Sequence, residues 1–219
     1  MLTLLWDNDG VLVDTEGLYF QACREMLGSV GVELTLEQFQ EISLRKGQST
    51  LELAAGKGLD AEQLDQLRLA RDKFYTELLI ANSPVIEGVE DVLAELHGRV
   101  RMGIVTSARR VHFDAAHAST SIIRYMDFVL SREDYKLSKP HPEPYLTAVQ
   151  RYGLDPKQCI VIEDSERGLA AAIAAELKCI VVRSHWTRDC EFRGASAIAE
   201  NIAGVRLEIK KRMPPSAPA

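Results

Sequence analysis

The chain has little that would suit nucleic acid or a membrane as a partner. Its 219 residues carry 26 lysines and arginines against 32 aspartates and glutamates, which gives a formal net charge of −6. No basic stripe is present that could follow a phosphate backbone. No apolar run approaches the roughly 18 residues of a membrane span. We therefore expect neither nucleic acid nor a membrane among the partners.

Cysteine is scarce too, and its arrangement excludes further classes of protein. The four cysteines are Cys23, Cys159, Cys179 and Cys190. They form no CxxC pair and no Cys/His cluster with zinc spacing. Two of them lie beside apolar, strand-like runs, so we expect buried, reduced thiols. The printed N-terminal segment lacks the basic and apolar regions of a signal peptide. We expect a cytoplasmic protein that is a monomer or a weak dimer.

The sequence does contain an alternation of apolar strands and helical segments. The strand-like runs are LTLLW (2–6), VRMGIVTS (100–107), MDFVLS (126–131), CIVIED (159–164) and KCIVV (178–182). Segments with helical periodicity separate them. Continuously apolar strands that alternate with helices are typical of a parallel sheet that is covered on both faces. We predict an α/β fold with a Rossmann-like parallel sheet and helices on both faces.

The segment from residue 16 to about residue 80 has helical periodicity and no convincing strand. Its clearest helix covers 60–80, with Asp60 as the N-cap. We predict an all-helical cap domain over 15–82, a catalytic core made of 1–14 and 83–213, and a disordered tail over 214–219. The insertion follows the first strand, at the sheet edge where ligands bind, and is placed to act as a lid.

Polar residues collect where the predicted strands end. They are Asp7, Asn8 and Asp9, then Thr106 and Ser107, then Lys136 and Lys139 in a loop, and finally Glu163 and Asp164. The carboxyl ends of parallel strands lie at one edge, so these residues are expected to converge. Clustered carboxylates without nearby histidine or cysteine favour Mg²⁺. One carboxylate could attack phosphorus, while a second could protonate the leaving group and later activate water.

Four stretches resemble, in order, the four motifs of the haloacid dehalogenase superfamily: DNDGVLVDTE, IVTS, SKPHPEPY and VIEDSERG. The resemblance is strongest to the phosphatase and β-phosphoglucomutase branch, which has a helical cap after the first motif. Any one motif alone is a weak signal, but four in order, each at a strand end or in the following loop, are specific. The resemblance implies Mg²⁺-dependent hydrolysis of a small phosphorylated metabolite, a phosphomonoester, through an aspartyl-phosphate.

The resemblance assigns the central roles to the first motif. It implies that Asp7 is the nucleophile that takes the phosphoryl group and that Asp9 is the general acid/base. Asp9 would also bind Mg²⁺ through its backbone carbonyl, and Gly10 would allow a tight turn around the ion. Without the other motifs, the aspartate pair would also fit an Asx-type turn after a strand.

The other motifs supply a hydroxyl, a lysine and further metal ligands. Thr106 matches the hydroxyl that holds the phosphoryl oxygens, although a threonine at a strand end is often structural, and Ser107 would contribute its backbone N–H. Lys139 matches the lysine that neutralises the nucleophile and the phosphate, with Lys136 as the competing lysine. The implied ligands of Mg²⁺ are Asp7, Asp9, Asp164 and, directly or through water, Glu163.

Some positions depart from the family pattern. A mutase resemblance predicts a histidine after the DT pair and an arginine after the KG pair in the cap, whereas Tyr19 and Thr50 stand there. This favours a hydrolase over the alternative, a phosphosugar mutase of the β-phosphoglucomutase type. Asp9 argues against a true dehalogenase, whose leaving group needs no proton. Four intact motifs argue against a non-catalytic binder. Asn8 replaces a usually apolar residue, and the sequence offers no role for it.

The substrate contacts are the least defined part of the sequence. Arg45 and Lys46, in the cap loop RKGQ, are the predicted substrate contacts there. Arg109 and Arg110 either bind a second anionic group of the substrate or are solvated on a helix surface. Asp14 either orders the hinge between core and cap or caps the following helix.

Overall fold

Parallel strands form the centre of the molecule. The strands are β1 (Thr3–Trp6), β2 (Arg101–Val105), β3 (Phe128–Leu130), β4 (Cys159–Glu163), β5 (Lys178–Val182) and β6 (Ala197–Ala199). They form one sheet in the order β3-β2-β1-β4-β5-β6. The computed structural model describes residues 1–82 and 84–213. The predicted disordered tail over 214–219, and position 83 at the predicted start of the second core segment, lie outside the described residues.

Helices flank the sheet and fill the segment after β1. They are α1 (Glu16–Ser29), α2 (Leu36–Phe39), α3 (Ala61–Ala81), α4 (Val89–Leu96), α5 (Arg110–Ala116), α6 (Glu143–Arg151), α7 (Glu166–Ala174) and α8 (Ile202–Lys210). A π-helix covers Gln40–Arg45, and 3₁₀ helices cover Thr50–Lys57, Ile122–Tyr125, Arg132–Asp134 and Pro156–Gln158.

Successive residues of β1 face two different layers of helices. Leu4 and Trp6 pack in a cluster with buried residues of α4, α5 and α8. Leu5 packs in a second cluster with α6 and α7. Because both faces are covered, the central strands are apolar along their length rather than alternating. The predicted α/β fold, with a parallel sheet between two helical layers, is confirmed.

The chain between β1 and α4 is helical, as predicted. α1 and α3 pack around a separate apolar cluster that includes the fully buried Phe39 and Leu51. A capping box begins α3, in which Asp60 accepts from the Gln63 amide at 2.8 Å and the Gln63 side chain accepts from the Asp60 amide at 2.9 Å. The predicted N-cap is therefore confirmed. We call residues 16–81 the helical insertion.

Two backbone connections between the core and the helical insertion run side by side. The amide of Asp14 donates to the carbonyl of Pro84 at 3.0 Å, and the amide of Ile86 donates to the carbonyl of Leu12 at 3.0 Å. This pairing places the backbone of Asp14 at the junction between core and insertion, while both predicted roles of Asp14 stay predictions. The residue bounds of core and cap remain a prediction.

Two parts of the core differ from the sequence prediction. The segment of helical periodicity between the predicted strands over 100–107 and 126–131 is divided, because α5 ends at Ala116 and a separate 3₁₀ helix begins at Ile122. Thr120 lies between these two helices, and its hydroxyl forms a hydrogen bond with the ring of His117. Such a local side-chain bond competes with continuation of the helix. The strand β6 forms one edge of the sheet and is followed by the helix α8. Neither element was identified from the periodicity of the sequence.

Two further observations concern the apolar helices and the cysteines. In the part of the chain that the structure describes, no helix has the length and apolar character needed to cross a membrane. The cysteines Cys23, Cys159, Cys179 and Cys190 are free, and the first three are buried.

Candidate active site

The residues predicted from the strand ends lie together at one edge of the sheet. β1 is hydrogen-bonded to both β2 and β4, with Trp6 in register with Ile104 and with Ile162. The segments that follow these strands therefore emerge side by side. A cleft of about 490 Å³ opens between this edge and the helical insertion. Predicted residues that line it are Asp7, Asp9, Ser107, Lys139 and Asp164.

Lys139 is a buried cation at this edge. Its ammonium donates to Oδ1 of Asp7 at 2.7 Å, to Oε1 of Glu163 at 2.7 Å and to the carbonyl of Val105 at 2.9 Å. An ammonium has three N–H groups, so every donor is used. Burial alone would lower the pKa of Lys139, but the charges of Asp7 and Glu163 outweigh it and raise that pKa. The competing lysine, Lys136, is exposed.

Two threonine hydroxyls hold the carboxylate of Asp9. Thr15 donates to its Oδ1, and Thr106 donates to its Oδ2 at 3.3 Å. Oγ1 of Thr106 also accepts from the amide of Ala108 at 3.0 Å, which fixes the orientation of this side chain. The hydroxyl predicted to hold phosphoryl oxygens thus contacts the predicted acid/base. Sequence reasoning missed Thr15, although the DT pair after the first motif is a signal that could have identified it.

Three buried carboxylates lie beside Lys139. Oxygens of Asp7, Glu163 and Asp164 lie within 4.8 Å of one another. Burial, and then the charge of Glu163, raise the pKa of Asp7 to about 7 and raise the pKa of Asp164 well above its usual range. A bound cation would replace the protons that such a cluster holds. The all-oxygen donor set suits Mg²⁺.

Gly10 leaves the space that this cluster needs. Its φ is +77°, and a Cβ at this position would lie 2.7 Å from Cγ of Asp164. Glycine combines the left-handed backbone with this close approach. The buried carboxylates of Asp7 and Asp164 therefore fit a Mg²⁺ ion, while the backbone carbonyl of Asp9 stays a predicted ligand.

Glu163 is fully buried, and both of its carboxylate oxygens are engaged. Oε1 accepts from Lys139 and from the hydroxyl of Tyr145 at 2.9 Å, while Oε2 accepts from the hydroxyl of Ser165 at 2.9 Å. A Cβ at Gly168 would overlap this carboxyl group, which explains the glycine. Glu163 therefore orients Lys139. Glu163 was predicted to bind the metal either directly or through water, and its engaged oxygens favour the contact through water. Tyr145, hidden in the helical pattern after SKPHPEP, was missed.

Asn8 has a partner on the side of the strand that faces away from the cleft. Its Oδ1 lies 2.8 Å from Nε2 of His117, and Nδ1 of His117 lies 2.9 Å from the Thr120 hydroxyl. Burial lowers the pKa of His117 to about 4, so the ring is neutral and donates from Nε2 while Nδ1 accepts. The backbone carbonyl of Asn8 also accepts from the amide of Leu12 at 2.8 Å. Asn8 thus fastens the segment that carries both aspartates to the end of α5.

The helical insertion contributes a charged group to the opposite wall of the cleft. Arg71 of α3 donates to the Tyr19 hydroxyl at 2.7 Å and to Asp72 at 2.8 Å, and Asp72 also accepts from Arg109 at 2.8 Å. Tyr19, at the position of the mutase histidine, therefore accepts from an arginine of the insertion. The chain of contacts joins α3 to the start of α5. Arg71 and Asp72 were missed because their helix has an ordinary pattern of surface charges.

The structure does not bring Arg45 and Lys46 into the cleft. Arg45 pairs with Glu41 at 3.3 Å and Lys46 pairs with the same carboxylate at 3.1 Å, and all three side chains are about half-exposed. The next two residues of the loop, Gly47 and Gln48, line the cleft instead. The predicted loop is therefore at the site, but its two charged residues face elsewhere.

Of the other predicted residues, Ser107 lies at the cleft, whereas Arg110 and Thr50 lie away from it. Ser107 lines the cleft, and its buried Oγ has no hydrogen-bond partner among the described residues. Arg110 pairs with Asp114 at 2.8 Å on the helix surface, where both side chains are exposed, as its solvated interpretation predicts. Thr50 is buried outside the residues that line the cleft.

Comparison with known proteins agrees with this geometry. Residues 4–182 match the sequence model of the family described as "Haloacid dehalogenase-like hydrolase". The chain belongs to the haloacid dehalogenase-like hydrolase family. The match spans the motifs around Asp7, Thr106, Lys139 and Asp164, together with the helical insertion.

Two curated relatives of this haloacid dehalogenase-like hydrolase are named as phosphatases. It is 33% identical over 186 residues to the fructose-1-phosphate phosphatase YqaB of Escherichia coli, covering 82% of this chain and 95% of the relative. It is 30% identical over 194 residues to a phosphorylated carbohydrates phosphatase of Thermotoga maritima, covering 86% and 88%. This chain is a phosphatase of the haloacid dehalogenase-like hydrolase family.

A solved structure supports the fold alone. CbbY from Rhodobacter sphaeroides in complex with phosphate superposes with a TM-score of 0.79 at 23% identity, covering 94% of this chain and 96% of that chain. The sheet and the helical insertion of this chain therefore share the fold of that structure.

Proposed function

We propose that this hydrolase removes the phosphoryl group from a small sugar phosphate in a Mg²⁺-dependent reaction, through an aspartyl-phosphate on Asp7. The observation that carries the proposal is the contact between Asp7 and Lys139. A buried carboxylate lies 2.7 Å from a buried ammonium at the edge of a cleft, and a second carboxylate, Asp9, stands two residues along the chain. Asp7 can form an acyl-phosphate bond to phosphorus, and Asp9 can supply and then remove the protons needed to form and hydrolyse it.

In the first step, the Asp7 carboxylate attacks phosphorus and the bond to the leaving oxygen breaks. Lys139 stands where it can stabilise the charge on the phosphoryl oxygens as well as on Asp7. Asp9, held by Thr15 and Thr106, is placed to give its proton to the leaving oxygen. In the second step, Asp9 takes a proton from water, and that water attacks phosphorus and frees Asp7.

Mg²⁺ would be held by Asp7, Asp164 and the carbonyl of Asp9, and when bound it supplies charge that neutralises the substrate phosphate. Within the protein, Gly10 provides the space for this arrangement. Ser107, with a hydroxyl that has no partner among the described residues, is available to a phosphoryl oxygen together with its backbone N–H.

The substrate class rests on the relatives and on the composition of the cleft. Both curated relatives are named for phosphorylated carbohydrates. Polar side chains of the helical insertion, among them Gln48 and Arg71, line the cleft and suit a hydroxylated substrate. Tyr19 and Thr50, which replace the residues of the mutase pattern, favour transfer of the phosphoryl group to water rather than to a second sugar.

The test is a panel of phosphorylated sugars, assayed for released phosphate with Mg²⁺ and with excess EDTA. We expect turnover of at least one sugar phosphate that depends on Mg²⁺, and its loss in Asp7→Asn. Turnover that is unchanged by EDTA would contradict the metal requirement. Conversion of a sugar 1-phosphate to its isomer without phosphate release would instead support the mutase.

A further inference from the structure

Arg167 makes contacts on both sides of the cleft. It lies on the first turn of α7, in the core, and its Nε donates to the carbonyl of Leu44 in the helical insertion at 2.9 Å. Its Nη1 donates to the carbonyl of Lys139 at 3.4 Å. The side chain lines the cleft. One guanidinium therefore touches the insertion and the backbone of the catalytic lysine at the same time.

The loop of the insertion is shaped to receive this side chain. Gly47 has a φ of +66°, and a Cβ built on it would lie 2.9 Å from Cζ of Arg167, with an even closer approach to Nη1. The backbone of the loop thus packs directly against the guanidinium. Only a residue without a side chain combines this backbone conformation with this approach.

The chemistry of the contacts suits arginine in particular. Both hydrogen-bond partners of Arg167 are backbone carbonyls rather than carboxylates. The planar, forked guanidinium can donate in two fixed directions at once, whereas a lysine ammonium on a flexible stem has no such fixed fork. Arg167 can donate to the carbonyls of Leu44 and Lys139 at the same time only when the loop over 44–47 lies against the core.

We propose that Arg167 is a positioning residue that couples the closed position of the helical insertion to the placement of Lys139. The inference rests on the proposed function, because it assigns Arg167 an effect on catalysis through Lys139. When the loop rests on the guanidinium, Nη1 is directed at the carbonyl of Lys139 and the backbone that carries the catalytic ammonium is restrained. When the loop moves away, that restraint weakens, and the site is fully assembled only under the closed insertion.

The test approaches the same contact from its two sides. Arg167→Met removes the donors on the core side, and Gly47→Ala, on the insertion side, pushes the loop away from Arg167. Gly31→Ala is the matched control, because Gly31 is also in the insertion and has a φ of +70°, while a Cβ there meets nothing within 4 Å. The control thus has the same backbone strain without the contact. The double variant Arg167→Met/Gly47→Ala completes a double-mutant cycle.

We expect Arg167→Met and Gly47→Ala each to lower kcat by roughly 10-fold or more, since small displacements of a positioned group have large effects on rate. KM should change by less than about threefold, because the substrate-binding groups remain. The double variant should be no slower than the worse single variant, since both break one contact. Gly31→Ala should keep the kcat of the wild type.

A second measurement does not depend on turnover. Hydrogen–deuterium exchange of the segment 43–49 should be faster in Arg167→Met than in the wild type. If the wild type hydrolyses no phosphate ester, the proposed function fails while the exchange result still reports on the contact. Four results would each overturn the role of Arg167. The kinetic ones are additive losses of kcat in the double variant, a change in KM alone in Arg167→Met, and a Gly47→Ala enzyme that behaves as Gly31→Ala. The fourth is hydrogen–deuterium exchange of the segment 43–49 that is unchanged in Arg167→Met.

Discussion

Among single residues, Lys139 has the most demanding environment. It is buried with two carboxylates and a carbonyl around its ammonium, and each carboxylate depends on it for charge compensation. A pair of this kind is weak evidence of net stabilisation, but the loss of one partner leaves a buried charge without compensation. Lys139 should therefore contribute to stability, in addition to its proposed part in the reaction.

Lys139→Met should lower the free energy of unfolding by about 3–5 kcal/mol, because Asp7 and Glu163 lose their cation. Urea unfolding followed by circular dichroism measures this change. Lys136→Met is the control, since Lys136 is exposed three residues away, and its effect should be within about 0.5 kcal/mol. Similar changes in the two variants would contradict the assignment of Lys139.

His117 gives a prediction about pH. Burial lowers its pKa to about 4, against an ordinary value of about 6.5 in the unfolded chain. The unfolded state therefore binds the proton more tightly, and stability is lost as the pH falls below about 6.5, with the loss complete below about 4. Between pH 7 and pH 5, this one group should remove about 2 kcal/mol from the free energy of unfolding.

The variant His117→Gln keeps a polar partner for Asn8 but cannot be protonated. Its free energy of unfolding should fall by about 2 kcal/mol less than that of the wild type between pH 7 and pH 5. Equilibrium urea unfolding at the two pH values gives the difference directly. Parallel pH dependence in the two proteins would mean that His117 has an ordinary pKa in the folded protein and would contradict the prediction.

Among the elements, α3 and α5 are joined by the contacts of Asp72. This carboxylate accepts from Arg71 on its own helix and from Arg109, the N-cap residue of α5, and its side chain is 19% exposed. Charged hydrogen bonds in such a partly buried position contribute more than ordinary surface pairs. The contact ties the helical insertion to the core beside the cleft.

Asp72→Asn should lower the free energy of unfolding by about 1–2 kcal/mol, because two arginines lose a charged acceptor. Arg110→Gln is the control, because Arg110 forms an exposed pair with Asp114 on α5. This substitution should change the free energy of unfolding by less than about 0.5 kcal/mol. Thermal or urea unfolding of both variants checks this. An equal effect of the two substitutions would show that the Asp72 contacts are ordinary surface pairs.

The central strands could be predicted from the sequence because a buried parallel strand is continuously apolar, and the motif residues followed from where those strands end. β6 was not predicted, since Ala197–Ala199 is short and lacks β-branched runs. Neither was the end of α5 at Ala116, which depends on local hydrogen bonds around Thr120. Contacts such as Asn8 with His117, or Arg167 with Leu44, join segments more than 100 residues apart and no local pattern encodes them.

For the whole molecule, the buried carboxylates predict a dependence of stability on metal. An ion that binds only the folded state should stabilise it by about 2.7 kcal/mol at a concentration 100 times its Kd. The melting temperature should therefore rise with Mg²⁺ and return to the lower value with EDTA. Asp7→Asn should show a smaller rise, because it removes one ligand charge. A melting temperature that is the same with Mg²⁺ and with EDTA in the wild type would contradict the metal site.

The central claim is that Asp7 carries the phosphoryl group during turnover. The most direct measurement is to quench the enzyme in acid during hydrolysis of a sugar phosphate with Mg²⁺, digest it, and analyse the N-terminal peptide by mass spectrometry. We expect a phosphoryl group on Asp7 in the wild type and an unmodified peptide from Asp7→Asn. Turnover by Asp7→Asn at the wild-type rate, with an unmodified Asp7 in the quenched wild type, would contradict it.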